Sequence, residues 1–361
     1  MSLRLANISK TVGVETHIYP TSLILERGTM NVLLGPTLSG KTTLMRIMAG
    51  LDQPTTGSVL WQDQDVTGAR VQTRDVAMVY QQFINYPGMT VYDNIASPLR
   101  LKGIAASEID RRVRDAAALM KLNDQQLQRR PLELSGGQQQ RCALARALVK
   151  EAGLVLLDEP LANLDYKLRE ELRAEIPKIF EASGAIFVYA TTEPHEALLL
   201  GGNTACLWEG RVTQFGPTPH VYRQPADAVT ARVFSDPPMN FCRIEKRAGK
   251  VSYAGGSAPA GAFAAVPDGI YMAGFRPNHL TLEARVAGAL PFVVQVGGTE
   301  ITGSESYVHV THASDRWVAL IHGVHHVDAG AQREVYVDPA HVYLFGEDDR
   351  LIAAASYAEA A

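Results

Sequence analysis

GPTLSGKT, residues 35–42, fits at every fixed position the phosphate-binding pattern of a glycine, four residues, a second glycine, lysine and a hydroxyl residue. The apolar run Met30 to Leu34 before it reads as a buried strand, and Thr42 to Met48 after it as a helix closed by Gly50. Strand, glycine-rich loop and helix are the order in which backbone N–H groups and a helix N-terminus can cradle phosphate oxygens. A bare glycine turn with a chance lysine is the competing reading, and the flanking elements argue against it. The nucleotide-binding segment is therefore Gly35, Pro36, Thr37, Leu38, Ser39, Gly40, Lys41, Thr42 and Thr43. Lys41 would supply positive charge to the β and γ phosphates of ATP, and the Thr42 hydroxyl would hold Mg²⁺.

Outward from this loop, Leu154 to Leu157 is a second buried strand and ends in Asp158 and Glu159. A carboxylate there can reach the magnesium shell while its neighbour faces an attacking water, so Asp158 is the metal carboxylate and Glu159 the candidate general base. Leu164, Leu168, Leu172, Ile176 and Ile179 mark one face of a helix, which leads to a third strand, Ile186 to Tyr189. Strands alternating with helices predict an α/β fold with a mostly parallel sheet. Helices are also predicted from Ala105 to Met120 and from Gln138 to Lys150, within a helical insert at about residues 86–152. Ahead of the second of these stand Leu134, Ser135, Gly136, Gly137 and Gln138, where a short hydroxyl and bare amides could meet an anion; taken alone, the same residues would cap an ordinary helix.

A chain of 361 residues exceeds one typical core, and two domains are predicted, 1–235 and 236–361. After Ser235 helical periodicity fades. Phe292 to Val296, Tyr307 to Val310, Trp317 to Ile321 and Glu334 to Val337 look like strands of a small all-β domain or barrel, and Ala254 to Ala265 like a loop. A formal charge of −4 and the lack of a basic tail exclude nucleic acid as the expected partner. Three widely spaced cysteines, Cys142, Cys206 and Cys242, fit neither a disulfide framework nor a zinc site and suit a reducing cytoplasm. No apolar run approaches eighteen residues, so any membrane role is peripheral.

In the order GPTLSGKT, Gln81, LSGGQQQR, LVLLDEP and ANLD, the chain resembles the ATPase subunit of an ATP-binding-cassette transporter. The β-rich tail with GFRPNHL, Gly274 to Leu280, is similar to the carbohydrate and polyol importer branch, such as the maltose and glycerol importers. The resemblance implies a P-loop NTPase domain with a helical subdomain, followed by oligonucleotide/oligosaccharide-binding (OB)-like β-barrels for dimerisation and regulation. It implies ATP and Mg²⁺ as cofactors, with Gln81 touching the magnesium shell, and a second ATPase subunit whose ATP meets Ser135, Gly136, Gly137 and Gln138. Asp165 would couple the two sites. Gln82, Phe83, Asn85 and Tyr86 would face the membrane permease subunits, unless they form a plain surface loop. Location at the cytoplasmic face of the inner membrane and an indirect link to a periplasmic solute-binding protein follow from the same likeness.

Two departures stand out. The family carries a histidine beyond the third strand that contacts the γ phosphate, whereas VYATTEPHEAL puts Thr192 there and Glu193 at the following acid. A threonine hydroxyl is shorter and uncharged, and loss of one positioned transition-state contact typically costs about 3–4 kcal/mol. His195, three residues on, is read as a surface residue. The family's adenine-stacking aromatic is replaced by Val12, before Gly13; Tyr19 or His17 could take over, or either could lie on the surface. A slow site of its own beside an intact signature favours a heterodimer over a homodimer. The other reading is a nucleotide-binding regulatory subunit with little turnover of its own.

Overall fold

The computed structural model describes residues 2–82, 84–162 and 164–356, without the side chains of Leu168 and Ala182; the expectations for Phe83, for Asn163 within ANLD and for the Leu168 side chain lie outside the described residues. The chain divides into two units, Met1–Thr218 and Pro219–Ala361. In the first, β1 (Ser2–Val12), β2 (Glu15–Glu26) and β3 (Met30–Leu34) precede α1 (Lys41–Ala49), β4 (Thr56–Trp61), β5 (Gln64–Asp65) and β6 (Val76–Val79). Four helices follow, α2 (Val91–Leu101), α3 (Ala106–Leu119), α4 (Asp124–Gln128) and α5 (Gly136–Leu148). Then come β7 (Leu154–Asp158), α6 (Tyr166–Ser183), β8 (Ile186–Thr191), α7 (Pro194–Leu200), β9 (Asn203–Trp208) and β10 (Arg211–Pro217).

Every residue of β3, β7 and β8 is buried, as strands covered on both faces require. Their sheet runs β10-β9-β3-β8-β7-β6, parallel except where β10 doubles back on β9. β8 thus lies between β3 and β7, with Thr191 opposite Leu34 and Ala190 opposite Asp158. That register brings three strand ends to one edge, the usual place for a ligand in an open α/β sheet. A second sheet, β2-β1-β4-β5, is antiparallel and was not foreseen by the strand-helix alternation. Its period-two signal, with Leu3 and Leu5 inward, is short and interrupted by irregular register between Leu5 and Ile8. Leu44, Ile47 and Met48 of α1 join one core with Leu3, Ile18 and Val59 from that sheet and Leu156 and Val188 from the parallel one.

The predicted helices appear as α1, α3, α5 and α6, and α1 ends at Gly50, whose φ of 78° suits glycine. Along α6 Leu172 and Ile176 are buried and Ile179 half-buried, while Leu164 is buried just ahead of the helix.

The second unit contains α8 (Thr218–Arg223), which begins at the division, and α9 (Ala228–Val233). Its strands are β11 (Asn240–Arg247), β12 (Lys250–Tyr253), β13 (Gly256–Pro259), β14 (Gly269–Phe275), β15 (Leu280–Thr281), β16 (Leu290–Ile301), β17 (Glu305–His312), β18 (Asp315–His322), β19 (Gln332–Val337), β20 (Tyr343–Phe345) and β21 (Leu351–Ala353). They form two antiparallel sheets, β13-β12-β11-β14-β20-β21 and β15-β19-β16-β17-β18, in a barrel-like arrangement around Phe275, Phe292 and Trp317. Asn240 stitches the sheets together: its amide donates to the Val318 carbonyl and accepts from the Val318 N–H, both at 2.9 Å.

One expectation needs correction. The stretch from Ala254 to Ala265 is not all loop, because β13 pairs with β12 through backbone groups that small side chains leave free to approach, and Phe263 enters the core. Arg276, of the GFRPNHL stretch, binds the segment between Thr218 and Ser235. Its guanidinium donates to the carbonyls of Phe234 (2.7 Å) and Tyr222 (2.8 Å) and lies 3.7 Å from the centroid of the Tyr222 ring. Arg276 is buried, so Arg276→Ala would strand two carbonyls and should destabilise this unit by about 3–5 kcal/mol in urea unfolding followed by near-ultraviolet circular dichroism. An unchanged midpoint would contradict that role.

Candidate active site

The loop between β3 and α1 is held in a conformation that two glycines permit. Gly40 has φ 102°, and a Cβ there would come within 2.7 Å of Ile18 Cδ1. At Gly35 an added Cβ would collide with the Leu207 carbonyl oxygen and stand 2.6 Å from Ser39 Oγ. Lys41 is only 5% exposed, and its ammonium donates to the carbonyls of Gly35 (2.7 Å) and Pro36 (3.0 Å). Burial pulls its pKa below the usual lysine value, against the opposing pull of Glu159 and Asp158. The Ser39 hydroxyl is buried and has no hydrogen-bond partner among the described residues, a polar group left for something else to satisfy.

β7 delivers the carboxylates. Asp158 is buried, and its Oδ2 accepts from the Thr42 hydroxyl at 2.8 Å. Its pKa is raised, first by burial and then by the Glu159 charge, although the Thr42 hydrogen bond and Lys41 oppose the shift. Glu159 adopts φ 45°, a left-handed conformation that costs an ordinary side chain about 1–2 kcal/mol. Its N–H donates to the Ala190 carbonyl at 3.0 Å, which fixes the turn to β8. The strained backbone puts Oε1 3.7 Å from Lys41 Nζ and lets Oε2 accept from Gln81 Nε2 at 2.9 Å.

These groups open on a cleft of about 810 Å³ lined by Thr37, Lys41, Thr42, Gln81 and Glu159 on one side and by His17, Tyr19 and Gly210 on the other. Sequence reading missed Gly210, although a glycine in the tight turn from β9 to β10 was a signal. Its N–H donates to the Ser39 carbonyl (3.0 Å) and its carbonyl accepts from Tyr19 N–H (2.9 Å), so it clips β2 to the loop between β3 and α1. The Arg211 guanidinium covers the Tyr19 ring at 3.6 Å. Both candidate replacements for the missing aromatic, His17 and Tyr19, line the cleft, whereas Val12 does not.

Other predicted residues lie outside the cleft wall. Ser135 caps α5, accepting from Gln138 N–H at 3.4 Å while Gln138 Oε1 accepts from Ser135 N–H at 3.1 Å; Gly136 and Gly137 form the first turn. Asp165 is exposed immediately before α6, and Thr192 is exposed immediately after β8. His195 is exposed on α7, as predicted. Beyond Gln81, Asn85 Nδ2 donates to the Gln139 carbonyl (2.8 Å) and the Arg146 guanidinium lies 4.9 Å from the Tyr86 ring centroid, so this loop is anchored on α5. A further cleft of about 620 Å³, lined by Arg27, Asp75, Glu175 and Lys178, holds no motif residue and presents no matched set of groups for phosphate chemistry.

Residues 18–162 match the family model described as ABC transporter. The chain is 35% identical to the trehalose/maltose import ATP-binding protein MalK of Thermococcus litoralis over 95% of its length and 97% of that protein's. It is 38% identical to the sn-glycerol-3-phosphate import ATP-binding protein UgpC of Rhizobium meliloti, covering 87% and 88%. Among solved structures, a dimeric bacterial ABC transporter cassette matches with a TM-score of 0.56 and 27% identity, over 60% of this chain and 98% of that one. A post-hydrolysis cassette bound to ADP and Pi matches with a TM-score of 0.55 and 28% identity, over 60% and 98%.

The raised pKa of Asp158 means that its ionised form is disfavoured in the folded chain relative to the unfolded one, so at neutral pH the charge destabilises the fold. Asp158→Asn keeps an acceptor for Thr42 and removes the charge. Thermal melting of the nucleotide-free protein should rise, by about 2–4 °C for each kcal/mol relieved.

Proposed function

The chain belongs to the ATP-binding-cassette transporter family and is an ATPase, and on that premise we propose that it powers solute import by closing on ATP with a second ATPase subunit and reopening after hydrolysis. The relatives named above serve import of trehalose/maltose and of sn-glycerol-3-phosphate, which supports a sugar, glycerol or related polyol as the solute. The observation that carries the reading is one cleft edge on which Lys41, Thr42, Asp158, Glu159 and Gln81 are joined by contacts of 2.8–3.7 Å.

In this reading Gly35 to Thr43 wrap the phosphates, and the Lys41 ammonium exchanges carbonyl contacts for β and γ oxygens. The hard oxygen donors of Thr42, Asp158 and Gln81 fit Mg²⁺, as does a buried carboxylate whose charge is poorly compensated without a cation. Bound there, Mg²⁺ would neutralise charge on the phosphates. Glu159 takes a proton from a water as the water oxygen bonds to the γ phosphorus. The bond from that phosphorus to the bridging oxygen breaks, and ADP and phosphate leave. Ser135, Gly136, Gly137 and Gln138 lie outside this chain's cleft and would close on the partner's ATP, with Asp165 linking the sites. Gln82, Asn85 and Tyr86 would meet the permease at the cytoplasmic face of the membrane, and the barrel-like unit would be OB-like and regulatory.

Thr192 makes the chain's own site slow, and a heterodimer with a histidine-bearing partner would restore one full-speed site. Steady-state ATPase assays test this. Glu159→Gln should abolish most turnover, whereas Thr192→His should raise it by about 10²–10³-fold. Wild-type turnover at ordinary family rates with no gain from histidine would refute the slow-site reading. Transport left intact by Glu159→Gln would make the chain a regulatory subunit instead.

A further inference from the structure

We infer that Glu193, held by Arg169 and Arg173, is a positioning residue that fixes the segment carrying Thr192 against the backbone of Ala162, Leu164 and Asp165. The inference rests on the ATPase reading above and deepens it. Glu193 stands at the start of α7, yet its side chain makes no capping bond to the helix. Its carboxylate turns instead to α6, with Oε1 3.4 Å from Arg169 Nη1 and Oε2 3.4 Å from Arg173 Nη2.

Arg169 completes the bridge. Its Nη2 donates to the carbonyls of Ala162 (3.3 Å) and Leu164 (3.4 Å), and its N–H donates to the Asp165 carbonyl (2.9 Å). One guanidinium therefore touches both the stretch leaving Glu159 and the residue following Thr192.

A deeper ring pins the same place from below. Arg173 and Glu196 are both buried, with Nη2 3.2 Å from Oε1. Glu196 Oε2 accepts from the hydroxyls of Thr191 (2.6 Å) and Tyr189 (3.1 Å), and Thr191 Oγ1 accepts from Glu193 N–H (3.0 Å). Backbone and side chain of Glu193 are thus both tied, and Thr192 sits between two anchored neighbours. Stability alone does not explain the arrangement. Well-packed apolar residues would serve a core as well as a buried ion pair, and Glu193, 42% exposed, gains little from screened attraction. What the charges supply is direction: they set where residue 192 stands relative to Glu159.

The test compares wild-type chain, Glu193→Ala, Glu193→Gln, Arg169→Ala and the Arg169→Ala/Glu193→Ala double variant by ATP turnover, binding of a fluorescent ATP analogue and thermal melting. A positioning role predicts that Glu193→Ala lowers kcat about ten- to hundredfold with KM for ATP and analogue binding within about twofold of wild type. Glu193→Gln, which keeps one acceptor, should recover part of kcat, and the double variant should be no slower than the slower single. The inference fails if kcat is unchanged, if it falls only with the folded fraction, or if the two losses multiply. Active wild-type chain with an unaffected Glu193→Ala overturns this inference alone; a wild-type chain without turnover that Thr192→His does not restore overturns the ATPase reading and this inference together.

Discussion

A lysine ammonium buried against the carbonyls of its own loop is the constraint on which the first unit depends. Lys41 can be held there only because Gly35 and Gly40 let the backbone fold closely around it, and because Asp158 and Glu159 arrive nearby to oppose its charge. Burying one cation without those groups would be costly, so the loop, the carboxylates and the sheet register form a single solution. The parallel order β3-β8-β7 delivers it, since only strands running the same way end together.

The site is also kept under tension. Glu159 in a left-handed conformation, a poorly compensated Asp158 carboxylate and an unpartnered Ser39 hydroxyl each oppose folding, and all three lie beside or within the loop between β3 and α1. The surrounding core over-determines these positions: α1 is packed between two sheets, and Gly210 clips β2 to the loop. The second unit has a different logic. Its stability rests on antiparallel pairing around Phe275, Phe292 and Trp317 and on Arg276, whose charge is spent on backbone carbonyls rather than on a ligand.

Legibility followed the strength of the local signal. β3, β7 and β8 were readable because short, mostly apolar runs bounded by turn signals mean burial on both faces. The four later strands around Phe292, Tyr307, Trp317 and Glu334 were readable because glycine punctuates them. β13 was not, since Gly256 to Pro259 offers backbone pairing without an apolar pattern. The attachment of the segment before Asp236 to Arg276 was not readable, since Asp236, Pro237 and Pro238 look like a linker and Arg276 lies about forty residues beyond Phe234, whose carbonyl it binds.

By itself the sequence determined that a glycine-rich loop with a lysine, a carboxylate pair and a glycine-rich helix start occur in one chain, because each is written in contiguous residues whose chemistry depends on local backbone freedom. Tertiary structure alone decided which of them meet. It put Gln81 on Glu159 and Thr42 on Asp158, and set Gly210 and Tyr19 opposite the loop. It also tied Glu193 to Arg169 and Arg173, while leaving Ser135 to Gln138 outside the cleft. Such pairings join residues 20 to 191 positions apart, and strand order and register fix them rather than any spacing along the chain.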